Sequence, residues 1–174
     1  MLFNYLFIFM LGSILGFLLE LFYRRILLGK WIKPGVFYGF YLPLYGMGLC
    51  ICYFVYNLEV YFMFRIVLIT LLLSFVEFVC GIIFVKYFKL PLWDYSRNKF
   101  NYKGLVCLKY SLCWTLLGFL CLKFIFPYIN IDVFCIREVI LLMYLFYVIL
   151  ICDVLYKLFY LFYSKKFLRT MFTT

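Results

Sequence analysis

The chain has 174 residues, of which 70% are hydrophobic and 26% aromatic, with a formal net charge of +10 and no histidine. Soluble domains are roughly half apolar, so this composition, with a mean hydropathy of +1.12, excludes a water-soluble fold and leaves no length for a separate catalytic domain. The cations fall in short loops rather than on one soluble face, which excludes a nucleic-acid surface and matches the bias of cytoplasmic segments beside membrane spans.

Residues 2–23 form a first span, since about twenty apolar residues cross a hydrocarbon core of ~30 Å. Arg24, Arg25, Lys30 and Lys33 follow this run rather than precede it, so it reads as a retained span and not a signal peptide. Next comes KPGVFYGFYLPLYGMG, residues 33–48, with four of the ten glycines and two of the four prolines. Proline lacks an N–H donor and glycine admits left-handed backbone, so Gly35, Gly39, Pro43, Gly46 and Gly48 mark a break in the helical ladder. At membrane depth such backbone survives only where it is buried in protein or lines a wet cavity. The second span, 36–57, is therefore expected either to be re-entrant, with regular helix from about Leu42, or to start near Val36 and kink at Pro43.

A turn at 57–59 leads into a third span, 60–88. The stretch 86–104 is polar and basic, and spans over 105–126 and 135–156 follow, separated by a turn at 127–132. Thirteen of the seventeen cations lie in alternate connections, which orients five spans with the N-terminus out and the C-terminus in. The expected fold is all-α, a polytopic transmembrane helix bundle forming one integral membrane domain over 1–174 in the lipid bilayer of the cytoplasmic (inner) cell membrane.

The eight cysteines fall mostly within spans and lack the paired spacing of a zinc site, so they read as buried thiols. Neither metal nor cofactor is expected. The chain has no GK[ST] loop, no histidine base and no serine in a nucleophile elbow; no catalytic residue is assigned, and ATP hydrolysis would need another polypeptide.

Gly12, Gly16 and Glu20 recur every four residues and share a face of span one, with Ser13 beside them; Thr70, Ser74, Glu77 and Gly81 share a face of span three. Small residues let another helix backbone approach, which makes Gly12, Gly16 and Gly81 candidates for helix packing and subunit contacts. A carboxylate at the bilayer centre costs on the order of 2.5–3.5 kcal/mol. Glu20 has Arg24 one turn away. The cation that follows Glu77 on its own helix is Lys86, ~14 Å along the axis, so Glu77 needs a partner on another helix, water or a proton. Glu20, Glu77, Ser74 and Tyr45 form the expected polar intramembrane site. Asp153 and Lys157, spaced i, i+4, are expected to pair and anchor span five.

The loop LWDYSRNKFNYKG is the other dense stretch. Trp93 and Tyr95 suit the headgroup layer, Asp94 can cap or pair, and Ser96, Asn101 and Gly104 can shape the turn into span four. It serves either as an interfacial anchor or as a docking surface for a cytoplasmic partner. The elements Glu20, Trp31, Lys33 and Gly35 are echoed by Glu77, Trp93, Lys103 and Gly104. Setting Gly35 against Gly104 brings Tyr41 onto Tyr110 and Tyr45 onto Trp114, which suggests a parallel duplication of two helical hairpins.

Gly16 with Glu20, the run GKWIKPGVFYGFYLPLYGMG, Glu77 with Gly81, and WDYSRNKFNYKGLVCLKYSLCW through Ser111 and Trp114 together resemble the CmpB-like family of ABC-transporter type IV membrane proteins, over roughly residues 5 to 130. The chain departs from that pattern at Gly39-Phe40, where the family has Gly-Pro, and at Lys33-Pro34-Gly35, where it tends to Asn-Arg-Gly. The resemblance implies a permease-like subunit working with a separate cytosolic ATPase. Five spans are few for a complete pathway, so a homo-oligomer or hetero-complex is expected. Two other classes remain open: a non-transporting scaffold or assembly factor, and an intramembrane lipid-modifying enzyme using Glu77 or Asp94.

Overall fold

The computed structural model describes residues 1–128 and 134–171, with the side chains of 161, 162 and 164–171 left aside. The helices in chain order are α1 (Leu2–Leu28), α2 (Pro43–Tyr56), α3 (Phe62–Ile83), α4 (Leu108–Leu120) and α5 (Arg137–Met171). π-helical turns at Phe84–Phe88 and Cys121–Ile125 extend α3 and α4. A short antiparallel ribbon, β1 (Asn101–Tyr102) and β2 (Val106–Cys107), sits in the loop before α4. Four of these helices are long and apolar enough to cross a membrane, and α2 is a shorter apolar helix. The expected turn at 127–132 falls largely outside the described residues.

Arg24 and Arg25 lie within α1 rather than in a loop. Nothing before Gly29 breaks the ladder; there φ reaches +68° and the Gly29 N–H returns to the Arg25 carbonyl at 3.0 Å, a left-handed cap that needs no Cβ. The second helix does not start near Val36. Residues 36–42 are not helical, and Pro43 occupies the first turn of α2, where its missing N–H goes unused. The Leu42 N–H donates to the Ser13 carbonyl at 2.9 Å. Ser13 lies ~22 Å along α1 from Leu28, so the non-helical chain penetrates the bundle to mid-helix depth before α2 begins. That is the re-entrant alternative, not the kink.

Small residues set how closely α1 and α2 pack. A Cβ added at Gly16 would lie 2.2 Å from the Tyr45 Cβ, and one at Gly12 would lie 2.8 Å from the Leu49 Cβ. The glycine face of α1 is therefore covered by α2 of the same chain, as its helix-packing reading expects, and is not the face left open to a second copy. Hydroxyls join α3 to α4, where Thr70 meets Thr115 and Ser74 donates to Ser111, both at 2.8 Å. Between α2, α3 and the end of α4 lies a core of Cys52, Val55, Ile69, Leu73, Cys121, Leu122 and Phe126. α5 packs on α1 through Phe7, Ile8 and Met143, and on the re-entrant chain through Tyr41, Phe146 and Leu150. Leu71, Phe75, Leu112, Leu116 and Leu145 point outward, as in a bundle whose surroundings are as apolar as leucine itself.

Candidate functional site

The re-entrant chain and the loop before α4 converge on one cavity of about 360 Å³. Glu20 and Arg24 of α1, Pro43 and Tyr45 of α2, Glu77 of α3 and Trp114 of α4 line it, together with Gly35 and Phe37 of the re-entrant chain and Trp93 and Tyr95 of the second loop. It draws on four helices and two irregular segments.

The two carboxylates are treated differently. Glu20 has both oxygens engaged: Oε1 accepts from Arg24 Nε at 3.0 Å and Oε2 from the Tyr45 hydroxyl at 3.0 Å. Glu77 is only 2% exposed. Its Oε1 accepts from the Tyr95 hydroxyl at 2.8 Å, and its Oε2 has no hydrogen-bond partner among the described residues. The Trp114 indole approaches the same carboxylate as a donor, outside hydrogen-bond geometry to Oε2. A buried carboxylate oxygen left unpaired is costly, which sets Glu77 apart from Glu20 among the acidic residues that line the cavity.

The loop that delivers Tyr95 is built on its own hydrogen bonds. Asp94 Oδ1 accepts from the Ser96 N–H at 2.9 Å, an Asx turn, and that bond holds the Asp94 carboxyl below its usual range. Tyr95 N–H donates to the Gly104 carbonyl at 2.8 Å. Asn101 binds the carbonyl of Asn98 through its amide and the N–H of Gly104 through its oxygen. Trp93 Nε1 donates to the Leu105 carbonyl at 2.7 Å. The Tyr95 ring then stacks on Tyr110 at 4.5 Å, and Tyr110 shares a hydrogen bond with Tyr23 of α1. Burial, and then the Glu77 carboxylate, push the Tyr95 hydroxyl up from its ordinary value, so it stays a donor.

Two features of the α1/α2 hairpin have counterparts in α3/α4. Gly35 and Gly104 both take left-handed backbone, with φ of +79° and +69°, where a side chain would be strained. Tyr45 bonds the glutamate of its hairpin, and Trp114 lies beside the glutamate of the other. Their rings meet at 5.0 Å.

The sequence model of the family described as "Putative ABC-transporter type IV" matches residues 7–158. The chain belongs to this family. No curated protein and no solved structure matches it. The family match takes in every cavity residue from Glu20 to Trp114, and with the apolar helices it makes the chain a multi-pass membrane protein of an ABC-transporter family.

In this ABC-transporter-family chain, the structure gathers Glu20, Glu77, Tyr45, Gly35, Pro43, Trp93 and Tyr95 on the cavity. Ser74 does not line it, because Ser111 of α4 takes its hydroxyl. Asp94, Ser96, Asn101 and Gly104 frame the second loop behind the wall. Gly12, Gly16 and Gly46 lie in the α1–α2 contact, Gly48 faces Leu73, and Gly81 faces Leu105. The expected Asp153–Lys157 pair is not formed. Asp153 Oδ2 instead accepts from the Gly39 N–H at 2.9 Å and the Tyr41 hydroxyl at 2.5 Å, tying the re-entrant chain to α5, while the Lys157 ammonium stands over the Tyr38 ring. Tyr41 and Tyr110 were visible in the sequence only as partners in the hairpin alignment, and Phe37 and Phe84 carried no signal that set them apart from other apolar residues.

Proposed function

We propose that the chain is the permease subunit of a transporter whose ATPase is a separate cytosolic polypeptide, with the cavity as its substrate site. The observation that carries this reading is the Glu77 carboxyl, almost fully buried yet with one oxygen unpaired on a cavity between two loops. Ionisable groups at membrane depth mark substrate or ion pathways unless they are paired. Discontinuous backbone beside such a group is the usual construction of a transport site. Membership of an ABC-transporter family supports an ATPase partner, and this chain is assigned no catalysis of its own. The cationic connections orient both loops to the cytoplasm of the inner cell membrane, with the N-terminus outside.

The test is crosslinking and affinity purification from native membranes, with partners identified by mass spectrometry. A stoichiometric cytosolic ATPase is expected, and it should be lost when the exposed cations of the second loop are reversed, as Arg97→Glu with Lys99→Glu. Recovery of self-contacts alone would sink the permease reading and favour a scaffold.

A further inference from the structure

We infer that the cavity binds a small organic cation, with its ammonium group drawn to the Glu77 carboxyl and its apolar body against the rings of Tyr45 and Trp114. This rests on reading the cavity as a substrate site.

Charge decides the sign of the ligand. The charged side chains on the wall are Glu20, Arg24 and Glu77. Arg24 and Glu20 neutralise each other at 3.0 Å, which leaves Glu77, when ionised, without a compensating charge on the wall. An anion would be repelled, and a neutral apolar ligand would leave Oε2 buried and unpaired. An ammonium group supplies both the missing donor and the missing charge, the strong kind of hydrogen bond.

The wall decides what surrounds that charge. A bare hard cation takes about six to eight oxygen ligands, whereas Glu77 Oε1 and Glu20 are already committed to protein donors. The rest of the wall is largely aromatic and aliphatic, and ring faces attract cations within about 6 Å. Tyr45 and Trp114 meet at 5.0 Å beside Glu77, and Phe37, Phe84 and Trp93 continue the apolar surface. A volume of about 360 Å³ is near the lower end of ligand pockets, roughly 300–1,000 Å³, so the ligand is small.

Two of the three tryptophans, Trp93 and Trp114, line the cavity, and Trp31 does not. Full-length protein carrying Trp31→Phe, in lipid nanodiscs at neutral pH, therefore reports occupancy through its own fluorescence. Phenethylammonium should change the emission saturably. The uncharged 2-phenylethanol, similar in shape, should bind at least about tenfold more weakly, and Glu77→Gln should weaken the cation by at least about tenfold while Glu77→Asp retains part of its affinity. Equal binding of the alcohol, an unchanged affinity in Glu77→Gln, or saturation by sodium ions in place of the amine would overturn the inference. If Glu77→Gln does not fold, the comparison of the two ligands on the parent protein decides. Binding is read without any ATPase: cation binding with no ATPase recovered sinks the transporter reading alone, and an ATPase recovered with no cation selectivity sinks this inference alone.

Discussion

The Tyr95 hydroxyl donates to Glu77 Oε1 at 2.8 Å, so a loop residue gives the glutamate of α3 the partner its own helix lacks. Gln at position 77 keeps a carbonyl oxygen for that donor and loses the charge. Glu77→Gln is expected to insert and fold but to fail in complementing a deletion strain. Glu77→Ala leaves the half-buried Tyr95 hydroxyl without its acceptor and should lose about 1–3 kcal/mol more stability. Thermal melts in detergent beside complementation check both, and a fully active Glu77→Gln would remove Glu77 from the site.

The α1–α2 contact allows no added carbon at Gly16, where a new Cβ would meet a Cβ fixed to the partner backbone at 2.2 Å. Gly16→Ala should force the helices apart and cost about 1–3 kcal/mol. Gly48 is the control on the other helix, because a Cβ there first meets the Leu73 side chain at 3.5 Å. Gly48→Ala gains helix propensity and should melt at or above the parent temperature. Similar melts for the two variants would contradict the close approach at Gly16.

Residue type and local spacing made the bundle legible, along with the broken second segment and the isolation of Glu77. They could not show how deep the break runs, because depth is set by a Leu42–Ser13 hydrogen bond between segments far apart in sequence. Ser74 shares a helix face with Glu77, yet the two sit ~4.5 Å apart along the axis. At the level of Ser74 the neighbour is Ser111 of α4, and at the level of Glu77 it is the second loop. Asp153 shows the same limit. The i, i+4 rule favours Lys157, but such a pair contributes only about 0.3–0.5 kcal/mol. The competing donors, the Gly39 N–H and the Tyr41 hydroxyl, lie more than a hundred residues away.

Asp153 is accordingly expected to hold the re-entrant chain in place. Hydrogen bonds to a charged group contribute about 1.5–3 kcal/mol each, so Asp153→Ala should loosen residues 38–41 strongly. Lys157→Met should not, since the Lys157 ammonium stands over the rings of Tyr38 and Tyr160 and holds no atom of the backbone at 38–41. Amide hydrogen exchange across 35–42 separates the two. Faster exchange of the Gly39 amide in Asp153→Ala alone is the expected result, and equal protection in both variants would refute the tie.

The second loop carries a testable pH dependence at Asp94. The Ser96 N–H holds this carboxyl below its ordinary value, so ionised Asp94 stabilises the folded loop. That contribution is complete above the ordinary carboxylate value of about 3.9 and is lost as pH falls through the lower folded value. Exchange of the Ser96 amide should therefore stay slow, after correction for intrinsic rates, from neutral pH down to about 4, and accelerate in stronger acid. Asp94→Asn, which cannot ionise, should abolish the acid step and leave Ser96 less protected at neutral pH. An acid step that persists in Asp94→Asn would assign it to another group, and an opening already complete well above pH 4 would contradict the depressed value.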